Sequence, residues 1–168
     1  EIARLESIYR SNLQNAGVAI FESRAEVEDG HTIRLAKDGT RVTAERILIA
    51  TGGRPSLGDD IPGRDLAITS NEAFHLADLP HRIVIQGGGY IAVEFAGIFA
   101  GLGSEVTLAY RGDMILRGFD DDLRDRLSAE YARRGITILT GRRITALARS
   151  ADGLAATLDD GSVLAASQ

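Results

Sequence analysis

This sequence predicts an α/β fold: a parallel sheet flanked by helices with an antiparallel β-meander beside it, preceded by part of a second unit of the same type. Three observations predict it. The stretch "RIVIQGGGYIAVEFAGIFAGLGSEVTLAY", residues 82–110, spells strand, glycine turn, helix and strand, the signature of a βαβ unit. The stretches "NAGVAIFESRAEVEDGHTIRLAKDGTRV" and "RRGITILTGRRITALARSADGLAATLDDGSV" repeat one order of helix end, glycine, strand, further strands and a D-G turn, which reads as an internal repeat. Between these copies, "RPSLGDDIPGRD" has the proline, glycine and acid content of a connection between domains.

The elements follow in order. Ile2, Leu5, Ile8, Tyr9 and Leu13 recur at helical spacing and Gly17 supplies the stop, so the chain opens on a surface helix. Strands are expected at "VAIFES", "HTIRLA" and "TRVTA", with "KDGT" as a turn, and a buried strand at "RILIATGG", ended by Gly52 and Gly53. Thr69 with Glu72 three residues on forms a capping box ahead of "AFHLADL". After the βαβ unit another helix begins near Asp120, with acids in its first turn, Leu123, Leu127 and Tyr131 on one face, and a stop at Gly135. On this reading residues 1–56 are the later part of a first unit, 57–66 a linker, and 67–168 a dinucleotide-binding domain lacking its last strand.

Both ends read as cut, since Glu1 already lies within a helical pattern and Gln168 follows the strand-like "GSVLAA". The repeat predicts an apolar strand with an A-x-G-like turn beyond Gln168 and a Gly-rich strand-turn-helix upstream. Sheet edges left unpaired by such a cut predict poor independent stability or association.

A chain of 168 residues can bury roughly 70% of its unfolded surface, enough for a substantial core. The net charge of −5 gives no basic field for a nucleic-acid backbone. No window reaches the roughly 20 apolar residues that span a bilayer, because Glu94 interrupts the most apolar run. With no cysteine, these residues contain no disulfide, thiolate nucleophile or Cys-based zinc site. Neither nucleic acid, membrane nor metal is expected as a partner.

"GGGYIA" fits G-x-G-x-x-A, the turn of a Rossmann-like dinucleotide-binding domain. Gly87 permits the tight turn, Gly89 lets a pyrophosphate approach without meeting a Cβ, and Ala92 keeps helix and sheet close. N–H groups of the first helical turn then face the phosphates. Alone this motif is weak; strand, helix and second strand around it give it weight. About twenty residues on, where an acid would accept bonds from a ribose 2′-OH and mark NAD, the chain has Tyr110 and Arg111, followed by Arg117. Guanidinium groups there would hold a 2′-phosphate. Two charge-assisted contacts, discounted for exposure, give about 3 kcal/mol, or roughly a hundredfold preference for NADPH. The alternative is that both arginines are solvated loop residues. Glu94, the one charge in an apolar helix, also has two readings: a buried acid with a functional partner, or an acid placed favourably near a helix N-terminus.

On "ILIATGGRPS", "IPG", "ITSNEAFHLADLP", "GGGYIAVEFAGIFAGLGSEVTL" and "YRGDMILRGFD", the chain resembles the flavoprotein pyridine nucleotide-disulfide oxidoreductases, and among them the glutathione reductases. Dihydrolipoyl dehydrogenases, mercuric reductases and trypanothione reductases belong to the same group. The resemblance implies an FAD domain, an inserted NADPH domain and a C-terminal dimerisation domain. It places Arg24, Thr51 and Gly52 near FAD, and Gly87, Gly88, Gly89 and Ile91 around the phosphates and ribose of NADPH. Arg111 and Arg117 fall at the 2′-phosphate, Tyr90 at the aromatic lid over the nicotinamide site, and Glu94 beside the nicotinamide amide.

The implied reaction passes hydride from NADPH to FAD, then electrons to a cysteine pair and to glutathione disulfide, in a cytoplasmic homodimer. No catalytic residue of that scheme lies in this chain: the cysteines are absent, His31, His75 and His81 match no catalytic position, and the sole lysine, Lys37, sits in a turn. The fragment alone is expected to be inactive. Two rivals remain: another NADPH-linked disulfide or mercuric reductase, and a nucleotide-binding module without disulfide chemistry.

Overall fold

The computed structural model describes residues 2–58 and 60–168, and the chain divides into two compact units, Glu1–Gly53 and Arg54–Gln168. In the first unit, helix α1 (Ile2–Asn15) is followed by strands β1 (Ala25–Val27), β2 (Thr32–Leu35) and β3 (Arg41–Thr43), which pair antiparallel in that order. The helix ends at Gly17, whose φ of 74° lets its N–H reach Gln14 O at 2.9 Å while Val18 N–H reaches Leu13 O at 3.0 Å. This is a Schellman closure, which needs a residue with positive φ.

Two expected strands are absent from this unit. "VAIFES" is not a strand, and the first strand begins at Ala25 instead. "RILIATGG" is not a buried strand either: Leu48 is 88% and Ile49 70% exposed. A strand needs a neighbour to take its backbone N–H and C=O groups. Among the described residues nothing pairs with 46–53, so the apolar pattern has no sheet to join. The stripe on α1 is exposed for the same reason, with no residue of the helix buried.

The second unit opens with a segment laid along its own meander. Pro62 O accepts from Leu147 N–H at 2.8 Å, and Gly63, at φ 76°, lies so close that a Cβ there would sit 2.0 Å from Leu147 O. Helix α2 (Ser70–Ala73) carries the capping box read from the sequence: Glu72 Oε2 accepts the Thr69 backbone N–H at 2.7 Å and Thr69 Oγ1 accepts from Asn71 N–H at 3.2 Å. Strand β4 (Arg82–Gln86), helix α3 (Tyr90–Leu102) and strand β5 (Glu105–Tyr110) form the expected βαβ unit, and helix α4 (Asp121–Arg133) leads to β6 (Thr137–Thr140). These strands make a parallel sheet in the order β4-β5-β6. On the outer edge of β4, Ser167 N–H donates to Arg82 O at 2.9 Å.

The core of this unit lies between sheet and helices, where Val93, Ala96 and Phe99 of α3 meet Ile83, Val106, Leu108 and Ile136. The antiparallel meander β7 (Ile144–Ser150), β8 (Gly153–Leu158) and β9 (Val163–Ala166) holds a smaller cluster around Ile144, Ala156 and Leu158.

The internal repeat is visible in hydrogen bonds as well as in order. Gly135 ends α4 as Gly17 ends α1, with Ile136 N–H on Tyr131 O at 3.0 Å. The turn at Gly39 is held by Thr40 N–H on Asp38 Oδ1 at 2.9 Å, and the turn at Gly161 by Ser162 N–H on Asp160 Oδ1 at 3.0 Å. Behind them, Ala36 N–H donates to Arg24 O and Asp159 N–H to Arg143 O, both at 2.9 Å.

Candidate functional site

At the C-terminal end of the parallel sheet the three glycines after β4 take three different parts. Gly87 N–H extends the ladder to Ala109 O at 2.9 Å, and its φ of 148° turns the chain; a Cβ there would come within 3.1 Å of Ala92 Cβ. Helix and strand are therefore in contact at that corner. Gly88 faces the ring of Tyr110: a Cβ would lie 2.5–2.6 Å from three ring atoms. Gly89 is the N-cap of α3 and has open space where a side chain would be. No side chain caps α3, so its first-turn N–H groups and the positive end of its dipole face that space. The opening at Gly89 and the uncapped helix fit the pyrophosphate of a dinucleotide.

The loop 111–119 that follows β5 is tied to this corner. Leu116 N–H donates to Gly88 O at 2.6 Å, and Ile115 and Leu116 are buried at 0% and 8% exposure. On its other side, Gly141 N–H donates to Gly112 O at 2.8 Å and Arg142 N–H to Tyr110 O at 3.1 Å. The backbone thus brings Gly87–Tyr90 and the loop bearing Arg111 and Arg117 to one end of one sheet. Both arginines are exposed, and among the described residues neither side chain makes a hydrogen bond or an ion pair. They stand in contrast to Arg41, Arg133 and Arg134, each paired with a glutamate.

The remaining predicted residues fall as follows. Tyr90 and Ile91, at the start of α3, are 59% and 47% exposed. Glu94 is exposed, which corrects its reading as a buried acid; Ile98 and Leu102 on α3 are exposed too. The high apolar content of α3 serves two faces, of which only the one with Val93, Ala96 and Phe99 meets the sheet. Close by, Tyr131 of α4 donates its hydroxyl to Val93 O at 2.8 Å, and a Cβ at Gly97 would lie 2.9 Å from that hydroxyl. Burial pushes the Tyr131 hydroxyl above its usual pKa, Arg134 opposes this, and the charge of Glu94 adds to the rise. Arg24, Thr51 and Gly52 belong to the first unit, with the Arg24 carbonyl accepting from Ala36 N–H and Gly52 at φ 68°.

Three residues of this corner escaped the sequence reading. Tyr110 registered only as the lack of an acid, although the glycines at 88 and 112 that make room for its ring were in view. Leu116, with φ 56°, is the one non-glycine residue of positive φ among those described, and sequence carries no signal for that. Arg124 lies on the inner face of α4 with Leu127, Ser128 and Tyr131, whereas Leu123, expected on the face of Leu127 and Tyr131, is 59% exposed.

The chain is 44% identical over 154 residues to a glutathione reductase of Nostoc sp. (strain PCC 7120 / SAG 25.82 / UTEX 2576), covering 92% of this chain and 33% of that protein. It is 44% identical over 164 residues to a glutathione reductase of Burkholderia cepacia, covering 98% of this chain and 36% of the other. It therefore spans about a third of the length of these curated relatives. Among solved structures, the HOCl-induced flavoprotein disulfide reductase RclA from Escherichia coli superposes with a TM-score of 0.83 at 25% identity, over 99% of this chain and 38% of that one. Residues 1–168 match the family described as pyridine nucleotide-disulphide oxidoreductase, whose members work with FAD and a nicotinamide nucleotide. With its glycine corner, its parallel βαβ unit and a family match along its whole length, the chain belongs to the pyridine nucleotide-disulphide oxidoreductases.

Proposed function

We propose that the chain is the nucleotide-handling part of an NADPH-dependent, FAD-containing glutathione-disulfide reductase. The observation that carries this reading is the pair of partnerless arginines on a loop bonded to the glycine corner. A 2′-phosphate adds charge and acceptor oxygens that such a pair can take, whereas a bare 2′-hydroxyl offers them little. Identity near 44% to two glutathione reductases supports the choice of disulfide.

On this reading the first-turn N–H groups of α3 and the open face of Gly89 hold the pyrophosphate, with Gly87, Gly88 and Ile91 shaping the approach. Arg111 and Arg117 neutralise the 2′-phosphate. Tyr90, exposed at the helix start, covers the nicotinamide side, and Glu94, one helical turn on, accepts from the nicotinamide amide. Thr51, Gly52 and the backbone at Arg24 lie against FAD, in the later part of an FAD-binding domain, 1–56, joined through 57–66 to the NADPH domain 67–168. Bound FAD supplies the acceptor for the nicotinamide hydride. The reading extends to a cytoplasmic homodimer whose disulfide chemistry resides outside these residues.

The test is a steady-state assay of the whole protein that carries this chain, with NADPH or NADH as donor and glutathione disulfide, trypanothione disulfide or lipoamide as acceptor. Highest kcat/KM with NADPH and glutathione disulfide is expected. Preference for another disulfide would overturn the substrate assignment alone, and preference for NADH would overturn the reading of the arginines.

A further inference from the structure

We infer that Arg124 is a positioning residue for the arginine loop: its guanidinium, on the inner face of α4, grips the Met114 and Ile115 carbonyls and so fixes where Arg117 stands. The inference rests on the reading of Arg111 and Arg117 as ligands of a 2′-phosphate.

Arg124 differs from its neighbours in both burial and bonding. Its side chain is 15% exposed, against 76% for Arg133 and 68% for Arg134 on the same helix. Nε donates to Ile115 O at 2.9 Å and Nη2 to Met114 O at 3.1 Å, while Nη1 reaches Asp121 Oδ1 at 2.5 Å. The planar fork spans two successive carbonyls, and Asp121, one turn earlier on the helix, sets its orientation. A lysine, with a single ammonium, cannot reproduce that bidentate grip.

The residues so held control the loop's course. Leu116 has a φ of 56°, a conformation that persists in a branched side chain only where the surroundings over-determine it. Its N–H is bonded to Gly88 O and its carbonyl accepts from Phe119 N–H at 3.0 Å. Arg124 closes the third side by holding the two carbonyls immediately before Leu116, and Arg117 comes next in the chain. The loop is therefore stapled to both the glycine corner and α4. Within it, Ile115 and Leu116 point inward and Arg111 and Arg117 remain free at the surface. Without Arg124, the segment between Gly112 and the N-cap of α4 would keep the Leu116 bond to Gly88 and the buried side chains of Ile115 and Leu116, but would lose both carbonyl ties immediately before Leu116. Arg117 would then sample many positions, losing affinity for a phosphate it must meet at one.

The experiment compares the whole protein that carries this chain with its Arg124→Gln, Arg124→Lys and Arg111→Gln/Arg117→Gln variants, the last as reference, titrating each with NADPH and NADH and following amide hydrogen exchange in 112–119 without nicotinamide nucleotide. For Arg124→Gln the expected result is NADPH binding weakened about tenfold, with NADH affinity changed by less than about twofold. Leu116 N–H should exchange at least about tenfold faster, while the amides of β5 keep their protection. Arg124→Lys keeps the charge and recovers only part of the loss. An equal loss for NADPH and NADH would show a fold effect and overturn the positioning role, as would unchanged NADPH binding or unchanged exchange at Leu116. Should Arg124→Gln not fold, the exchange and titration of Arg124→Lys decide alone, and wild-type values for both would overturn the role. If the reference variant leaves the NADPH to NADH ratio unchanged, the phosphate reading itself fails and this inference with it. If the reference lowers the ratio and Arg124→Gln does not, the positioning role alone fails.

Discussion

Replacing Gly88 by alanine tests whether the glycine corner is built around Tyr110. The added Cβ would sit 2.5 Å from the ring Cγ and 2.6 Å from both Cδ atoms, an overlap that no rotation of a methyl group relieves. The ring cannot slide away along its own plane either, because Gly112 lies against its other end, where a Cβ would meet Cε1 at 2.6 Å. Overpacking of this kind costs about 1–3 kcal/mol, partly offset by about 0.4–1 kcal/mol from the lower chain entropy of alanine in the unfolded state. The net loss of about 1–2 kcal/mol corresponds to a drop in Tm of roughly 2–8 °C for a chain of this size. Calorimetry on the single variants and on Gly88→Ala/Tyr110→Ala would show it, with the double variant less destabilised than the sum by about 1 kcal/mol or more. Gly89→Ala is the control: with open space at its Cβ and φ −81°, it should leave Tm unchanged while weakening dinucleotide binding. A Gly88→Ala chain as stable as its parent, or strictly additive effects with Tyr110→Ala, would refute the reasoning.

Gly63→Ala should cost at least about 2 kcal/mol in chemical unfolding, since a Cβ would collide with Leu147 O in a backbone of positive φ. Tyr131→Phe should cost about 0.5–1.5 kcal/mol by deleting the bond to Val93 O. The folded-state pKa of Tyr131 is raised, so its contribution is present below the unfolded value of 10.0 and is lost as pH rises beyond it; the phenylalanine variant should show a weaker alkaline decline in Tm. At the acid end the sign is opposite. The Arg41 bond lowers Glu28, the Thr69 cap lowers Glu72, and Arg133 with Arg134 lowers Glu130, so stability present above pH 4.5 should fall as pH drops below it through the folded values. A Tm that rises between pH 4.5 and 3 would contradict that.

What the sequence made legible was what short-range chemistry dictates. Helix stops at Gly17 and Gly135, the capping box at Thr69 and Glu72, and the strand-turn-helix-strand run from Arg82 to Tyr110 each depend on residues a few places apart. What escaped was set by partners distant in the chain. "RILIATGG" has the composition of a buried strand, but a strand is made by its neighbour, and none is paired with it among the described residues. On α4, Leu127 and Tyr131 face inward as their spacing predicts, but the first turn departs from it: Arg124 buries its stem and bonds loop carbonyls with its guanidinium, while Leu123 faces solvent. In the candidate site, the glycine corner and the two free arginines could be read from motif spacing, whereas the Tyr110 ring beneath Gly88 and the bond from Leu116 to Gly88 required the folded loop.

The account stands most directly on the ratio of dissociation constants for NADH and NADPH, measured by fluorescence titration for the chain and for Arg111→Glu. The parent ratio should be roughly 100 in favour of NADPH, and an acid at position 111 should bring it to about 1 or below, because carboxylate repels the phosphate and accepts from a ribose hydroxyl. A ratio that Arg111→Glu leaves unchanged would contradict the central claim.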